Sequence, residues 1–291
     1  MAIRSMSGGH TAQPLVRVTN GLRSALSLLV LTLGGIFMMI PLVWMISASM
    51  MPLSEVIKVP PVWFDISKWS LNNYFETLVN LGFARYFLNS LLVAIVVTFA
   101  QLFTSSMAGY AFAKFRFPGR NVLFLVVLST MMIPFQVIMI PLFLMMIGLN
   151  LDNTFGGLIL PAIVSPFCIF MMRQSMMAIP NALLEAARID GASEFYIFFR
   201  IVLPLCRTPL AALGILIFLA SWDDYIWPLI ITNSETLWTL PVGISRLTQQ
   251  YLSQTHLQMA GASIMFIPIL IVFLLLQRHF IEGIALSGLK G

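Results

Sequence analysis

The stretch EAARIDGASEFYIFFRIVLPL, residues 185–205, decides how this chain is read. It carries five charged side chains and a central glycine, although charged residues make up only 9% of the 291 and apolar residues 59%. IPNALLEAARIDG, residues 179–191, predicts a short helix that begins after Pro180 and ends at Gly191, a residue suited to the left-handed closing position. ASEFYIFFRIVLPL, residues 192–205, predicts a second helix, capped by Ser193 and running to Pro204. Ala186, Ala187 and Ala192 offer small side chains that another surface can approach, and Glu185, Arg188 and Asp190 ring them with charge. Joined stiffly by the second helix, this pair reads as a docking knob that transmits a push from a soluble partner. A solvated loop helix is the plainer reading of the same residues. A DNA-reading helix-turn-helix fits poorly, because apolar segments enclose the motif on both sides.

The surrounding sequence is built for lipid. Mean hydropathy is +0.94, and the charged share lies far below the roughly one quarter of soluble domains. About 20 apolar residues, at about 1.5 Å each, cross a hydrocarbon core. Windows of that size cover residues 24–54, 86–113, 121–151, 153–172 and 247–277. A sixth covers 208–222, is interrupted by Asp223 and Asp224, and resumes over 225–234. The expectation is an all-α integral membrane protein: six transmembrane helices in one domain, 24–281, between an N-terminal segment 1–23 and a tail 282–291. The first window lacks a short apolar core followed by a cleavage site, so it reads as a retained span. Cys168 and Cys206 fall in or near different windows without metal spacing, so neither a disulfide nor a zinc site is expected.

An even number of spans puts both ends on one side. Twelve of the 16 Lys and Arg fall on that side; only Lys58, Lys68, Arg85 and Arg246 fall on the other. This excess predicts that both termini and residues 180–205 are cytoplasmic. The formal charge of +5 is therefore topological and implies no nucleic-acid partner. On the opposite side, SLNNYFETLVNLGF (70–83) predicts a helix with Ser70 as N-cap, its apolar residues laid on the membrane surface. Pro134 and Pro141, seven residues apart, are expected on one face of a kinked third span beside Gln136.

Chemistry-bearing groups are sparse. No G-x-x-x-x-G-K-[ST] loop is present, so the chain does not cradle ATP in that way. His10, His256 and His279 are scattered, and neither a metal, a cofactor nor an enzyme activity is expected. Asp223 lies sixteen residues past Arg207, or ~24 Å along a helix, in the outer third of a span. In a continuous helix Trp227 shares its face. An acid beside an aromatic ring suits a sugar, with its hydroxyl donors and apolar ring face. Trp222, Tyr225 and Trp227 equally make an interfacial belt with the acids in water. The candidate solute path comprises Trp222, Asp223, Asp224, Trp227 and Gln136.

Glu185-Ala186-Ala187, Asp190-Gly191-Ala192 and IVLPL (201–205) together resemble the EAA loop of ABC importer permeases over some twenty positions. PLVWMISASM (41–50), NSLLVA (89–94), AGYAFAKFRFPGR (108–120), SWDDYIWPLI (221–230), TLPVGIS (239–245) and FIEGIALSGLKG (280–291) are similar to the carbohydrate-uptake branch. The branch they resemble is that of the second permease subunit of maltose-type transporters. The resemblance implies the type I importer permease fold, with Glu185, Ala186, Ala187, Asp190, Gly191 and Ala192 in a coupling helix that fits a groove on a cytoplasmic ATPase. It further implies ATP and Mg2+ on that partner, an ATPase dimer, a homologous permease and an extracytoplasmic solute-binding protein. The resemblance also implies a place in the bacterial inner membrane, a sugar, polyol or glycerol phosphate as solute, and tail residues Gly288 and Lys290 that reach toward the ATPase. Asp223 stands where the family commonly has Asn, so the resemblance defines the solute path less well. A stand-alone ion-coupled carrier is the other function class. It calls for midplane acids and repeated halves, and only Asp223 and Asp224 answer to that description.

Overall fold

The computed structural model describes the backbone of residues 14–60, 62–251 and 253–288, and side chains between residues 24 and 275. Among the described residues the secondary structure is helical, without strands. Helix α1 (Pro14–Met50) begins within the expected N-terminal segment and carries Pro41 inside it. Next come α2 (Leu53–Val56) and α3 (Asn72–Phe75), which continues through a π-helical turn to Asn80. Then α4 (Phe83–Lys114) runs without a break.

Three pairs of helices follow that are bent rather than straight. α5 (Arg120–Thr130) and α6 (Phe135–Gly148) meet at 98°. α7 (Phe155–Ile159), tightening through Ala162, meets α8 (Pro166–Met177) at 44°. After α9 (Asn181–Ile189), α10 (Glu194–Tyr196) passes through a π-helical stretch into α11 (Leu203–Leu205) and turns 79° into α12 (Arg207–Trp222). The chain continues with α13 (Ile226–Ile231), α14 (Leu240–Gln250) and α15 (Thr255–Gly288). Three described helices are long and apolar enough to cross a membrane, and there are up to six crossings when each bent pair counts as one.

Several sequence expectations change here. Proline lacks an amide proton and disfavours helix in the residue before it; Pro134 sits extended at the N-cap of α6. The third span therefore breaks between 130 and 135, and Pro134 and Pro141 share no continuous face. Helix α12 stops at Trp222, with the Asp223 amide donating to the Leu219 carbonyl at 3.1 Å. Asp223 and Trp227 thus lie on opposite sides of a break. The last span starts at Thr255, because Leu247–Gln250 complete α14.

The helix of residues 70–83 starts at Asn72, with Leu71 as N-cap, and the Ser70 hydroxyl accepts from the Asn72 amide at 3.1 Å. Leu71, Phe75 and Val79 are exposed along it, while its other face is tied to the rest of the chain. Asn73 donates to the carbonyls of Ser49 and Met51 at 2.9 and 2.8 Å, satisfying groups left open at the end of α1. Thr77 is fully buried. Beside it, Glu55 pairs with Lys58 and Lys68, both at 2.7 Å. Hydrogen bonds from these lysines hold its carboxyl below the ordinary 4.5, so it stays ionised at neutral pH.

Helix α4 is the centre of the bundle, packed against α8 and α12, while α1 packs on α15. The α4–α8 crossing is close because Gly109 has no side chain: a Cβ there would lie 2.8 Å from Met172 Cβ and 2.9 Å from the Arg173 amide nitrogen. Backbone cannot yield as a side-chain tip can. Gly109→Val should therefore separate the two helices at a cost of about 1–3 kcal/mol or more. Thermal unfolding of the detergent-purified protein checks this, with a clear loss of folded material expected for valine and none for an alanine control at exposed, helical Gly148, where nothing lies within 4 Å of a Cβ.

Candidate functional site

Two sites emerge around α4, one at each of two chemically different places. The first is α9 and its following turn. Pro180, extended, opens the helix, and buried Leu184 anchors it. Gly191 closes it at φ +84°, with its amide donating to Arg188 and that of Ala192 to Ala187. Ser193 then caps α10, accepting from the Tyr196 amide at 3.3 Å. Glu185, Ala186, Ile189, Asp190 and Gly191 are exposed, and Ile189 is 86% exposed. Of the three alanines only Ala186 faces outward; Ala187 and Ala192 pack against the core.

Helix α4 grips α9 at both ends. At the start, Lys114 Nζ donates to the Ile179 carbonyl at 2.6 Å and to Asn181 Oδ1 at 3.0 Å. At the finish, Arg188 donates to Glu194 at 2.6 Å, and the buried Tyr110 hydroxyl donates to the same carboxylate at 2.9 Å. The carboxylate holds the Arg188 guanidinium above its ordinary pKa. Tyr110 is itself wedged between Phe115 and Phe198. A movement of α9 would have to break these hydrogen bonds or carry the end of α4 with it. Sequence reading missed both Tyr110 and Glu194: an acid in a first helical turn is common, and no local signal marks Tyr110.

The second site is a cavity of about 180 Å³ among α4, α7, α12 and α13. Asp224, Ser221, Gln101 and Thr239 bring polar groups to walls made by Val93, Val97, Leu158 and Ile217. This is well above the roughly 15 Å³ that one water needs. Asp224 is held by the amides of Trp227 and Ile226, and the Thr239 hydroxyl is buried without a partner. An acceptor, a free hydroxyl and apolar walls are what a hydroxyl-rich solute or a file of waters requires.

The other residues of the candidate path are placed elsewhere. Trp222 is fully buried and donates to the Met265 carbonyl at 3.1 Å; Trp227 is buried and donates to the Gly157 carbonyl at 2.9 Å. They anchor the two sides of the break and do not line the cavity. Asp223 and Gln136 are exposed and also lie outside its lining, although the neighbouring Phe135 meets the Trp227 ring edge-on. Gly288 ends α15, and Lys290 lies outside the described residues.

A broken-span bundle with an exposed helix clamped to its central span defines a membrane transport component, and the comparisons agree. Residues 101–285 match the family model described as "Binding-protein-dependent transport system inner membrane component". The chain belongs to this family of ABC importer permeases.

It is 41% identical over 267 residues, 90% of this chain and 96% of the relative, to the arabinooligosaccharides transport system permease protein AraQ of Halalkalibacterium halodurans. It is 35% identical to the lactose transport system permease protein LacG of Rhizobium radiobacter, over 87% of this chain and 92% of that one. To the sn-glycerol-3-phosphate transport system permease protein UgpE of Brucella abortus it is 32% identical, over 88% and 94%. Its fold matches a chain of a bacterial ABC transporter involved in alginate import, with a TM-score of 0.77 at 22% identity, covering 94% of this chain and 100% of that one. The stand-alone carrier finds no support in these matches.

The clamp yields a prediction. Tyr110→Phe keeps the ring packing and removes one hydrogen bond to a carboxylate. Loss of such a bond should raise amide hydrogen exchange over residues 181–194 by roughly tenfold. Unchanged exchange by mass spectrometry would show that packing alone holds α9.

Proposed function

We propose that this permease carries a sugar, most closely an oligosaccharide of the kind named for its 41% identical relative, into the cytoplasm of a bacterium. It works in the inner membrane with both termini cytoplasmic, as the distribution of Lys and Arg favours. A homologous permease pairs with it, an ATPase dimer binding ATP and Mg2+ drives it, and an extracytoplasmic solute-binding protein delivers the solute. The neighbour solved with a periplasmic protein supports that last partner. The observation that carries the reading is α9: an exposed helix whose two ends are both tied to the central span.

In this reading Glu185, Ala186, Ala187, Asp190, Gly191 and Ala192 form the coupling helix, with Glu185, Ala186 and Ile189 meeting the ATPase. Ala187 and Ala192 set how closely the helix sits on its own bundle. Gly288 and Lys290 extend toward the ATPase. Closure of the ATPase dimer moves α9, α9 moves α4, and α4 forms one wall of the Asp224 cavity. The permease pair then shifts between inward- and outward-open states, biased by ATP and by loaded binding protein. Asp224, with Thr239 and Ser221, meets solute hydroxyls or the waters that replace them; Trp222 and Trp227 hold the break that presents Asp224.

Gly191→Leu tests the coupling. Nothing lies within 4 Å of a Cβ at this position, so the penalty is conformational: a left-handed backbone costs a branched or bulky residue about 1–2 kcal/mol. The complex should assemble and hydrolyse ATP, yet import at least about tenfold less solute per ATP. Gly191→Asn should be milder, because Asn tolerates this region. Wild-type transport stoichiometry in the leucine variant would sink the assignment.

The two acids are separable in the same way. Asp224→Asn should alter the apparent affinity for solute severalfold in vesicle uptake, whereas Asp223→Asn should leave it near wild type. The reverse ranking would move the path to the exposed face.

A further inference from the structure

The molecule has a second polar cavity, at the end of α4 away from α9 and separated from the Asp224 cavity by the Trp238–Thr239 turn. α4 holds Tyr110 and Lys114 at the α9 end; Tyr86 lies near its other end, and 28 residues at about 1.5 Å put some 42 Å between Tyr86 and Lys114. Around Tyr86 opens a cavity of about 270 Å³, lined also by Trp238, Glu235, Arg246, Gln250 and Tyr251. The Arg246 guanidinium lies 5.4 Å from the centre of the Trp238 ring. Among the described residues it makes no ion pair, and its Nε is buried without a hydrogen-bond partner. A stacked guanidinium is oriented in advance, and its fork matches a carboxylate. The one acid in the lining, Glu235, is exposed and lies beyond ion-pair distance of Arg246.

The other cations on this face differ. Lys58 and Lys68 are already neutralised by Glu55, and Arg85 is exposed. Arg246 alone among the four combines an aromatic platform, a buried open donor and a cavity to receive a ligand.

We propose that the Arg246–Trp238 cavity receives an acidic side chain of the solute-binding protein and so fixes how that protein docks. This rests on the importer reading above. Charge complementarity selects a carboxylate, and a cavity opening on the end opposite α9 suits a side chain presented by a large extracytoplasmic partner. Seating the carboxylate satisfies the open Nε and exchanges the cavity's water for a paired ion.

The test uses the full complex in lipid nanodiscs and the solute-binding protein that co-purifies with it. Arg246→Gln should raise the Kd for the binding protein by about tenfold to a hundredfold, the range for losing a hydrogen bond to a charged group. The wild-type affinity should fall with salt more steeply than the variant's. Gln250→Glu keeps Arg246 and places a competing carboxylate in the lining, so it should weaken docking in the same direction. Basal ATP hydrolysis, which needs no docking, shows that each variant is assembled.

Unchanged binding-protein affinity in both variants overturns the proposal. So does unchanged affinity together with a shifted KM for an acidic sugar, which would assign the cavity to the solute. Failure of the importer reading is seen separately and earlier: the wild-type complex would then neither bind a solute-binding protein nor show ATP hydrolysis stimulated by one.

Discussion

A span that breaks inside hydrocarbon exposes backbone amides and carbonyls that lipid cannot satisfy, each at a cost of several kcal/mol. Three helix pairs of this chain are bent at short breaks, and the unbroken α4 supplies partners at one of these breaks and at two other irregular turns. Gln101 donates to the Ala162 carbonyl at 2.5 Å and Thr104 to that of Ile163 at 2.6 Å, both at the break between α7 and α8. Asn89 donates to the carbonyls of Thr236 and Trp238, and Ser90 accepts from the Leu240 amide, at the turn into α14. Lys114 takes the Ile179 carbonyl where α8 ends. The polar residues of α4 are therefore structural partners for irregular backbone elsewhere.

The same arrangement explains why function collects around α4. A helix that holds the breaks in its neighbours is also the one that feels them move. Its Tyr110 and Lys114 end is bound to α9, its middle forms a wall of the Asp224 cavity, and its Tyr86 end lines the Arg246 cavity. Close contact with α8 through Gly109 leaves little slack between them. A displacement at one end is thus passed along a stiff, tightly packed element, which is the mechanical requirement of the proposed coupling.

The candidate path illustrates how a break redistributes roles. In a continuous helix, Trp222, Asp223 and Trp227 would have formed one aromatic and acidic surface. With the helix ending at Trp222, the two indoles turn inward and anchor to Met265 and Gly157. Asp223 is left in the open, and Asp224 turns to the cavity. The cavity is lined by residues from α4, α12 and the Thr239 turn, which no single stretch of sequence displays together.

Much of this protein was legible in its sequence. Apolar windows mark the spans because partition into lipid depends on local composition. The limits of α9 follow from Pro180, Gly191 and Ser193 because helix ends are set by backbone chemistry within a few residues. Family membership rests on the same kind of contiguous pattern. The angles of the breaks, the inward turn of the tryptophans, the placing of Asp224 and not Asp223 in the cavity wall and the Tyr110–Glu194 link across 84 positions were decided by tertiary structure alone. Each depends on which distant partner satisfies a buried polar group, and that choice is made only when the helices pack.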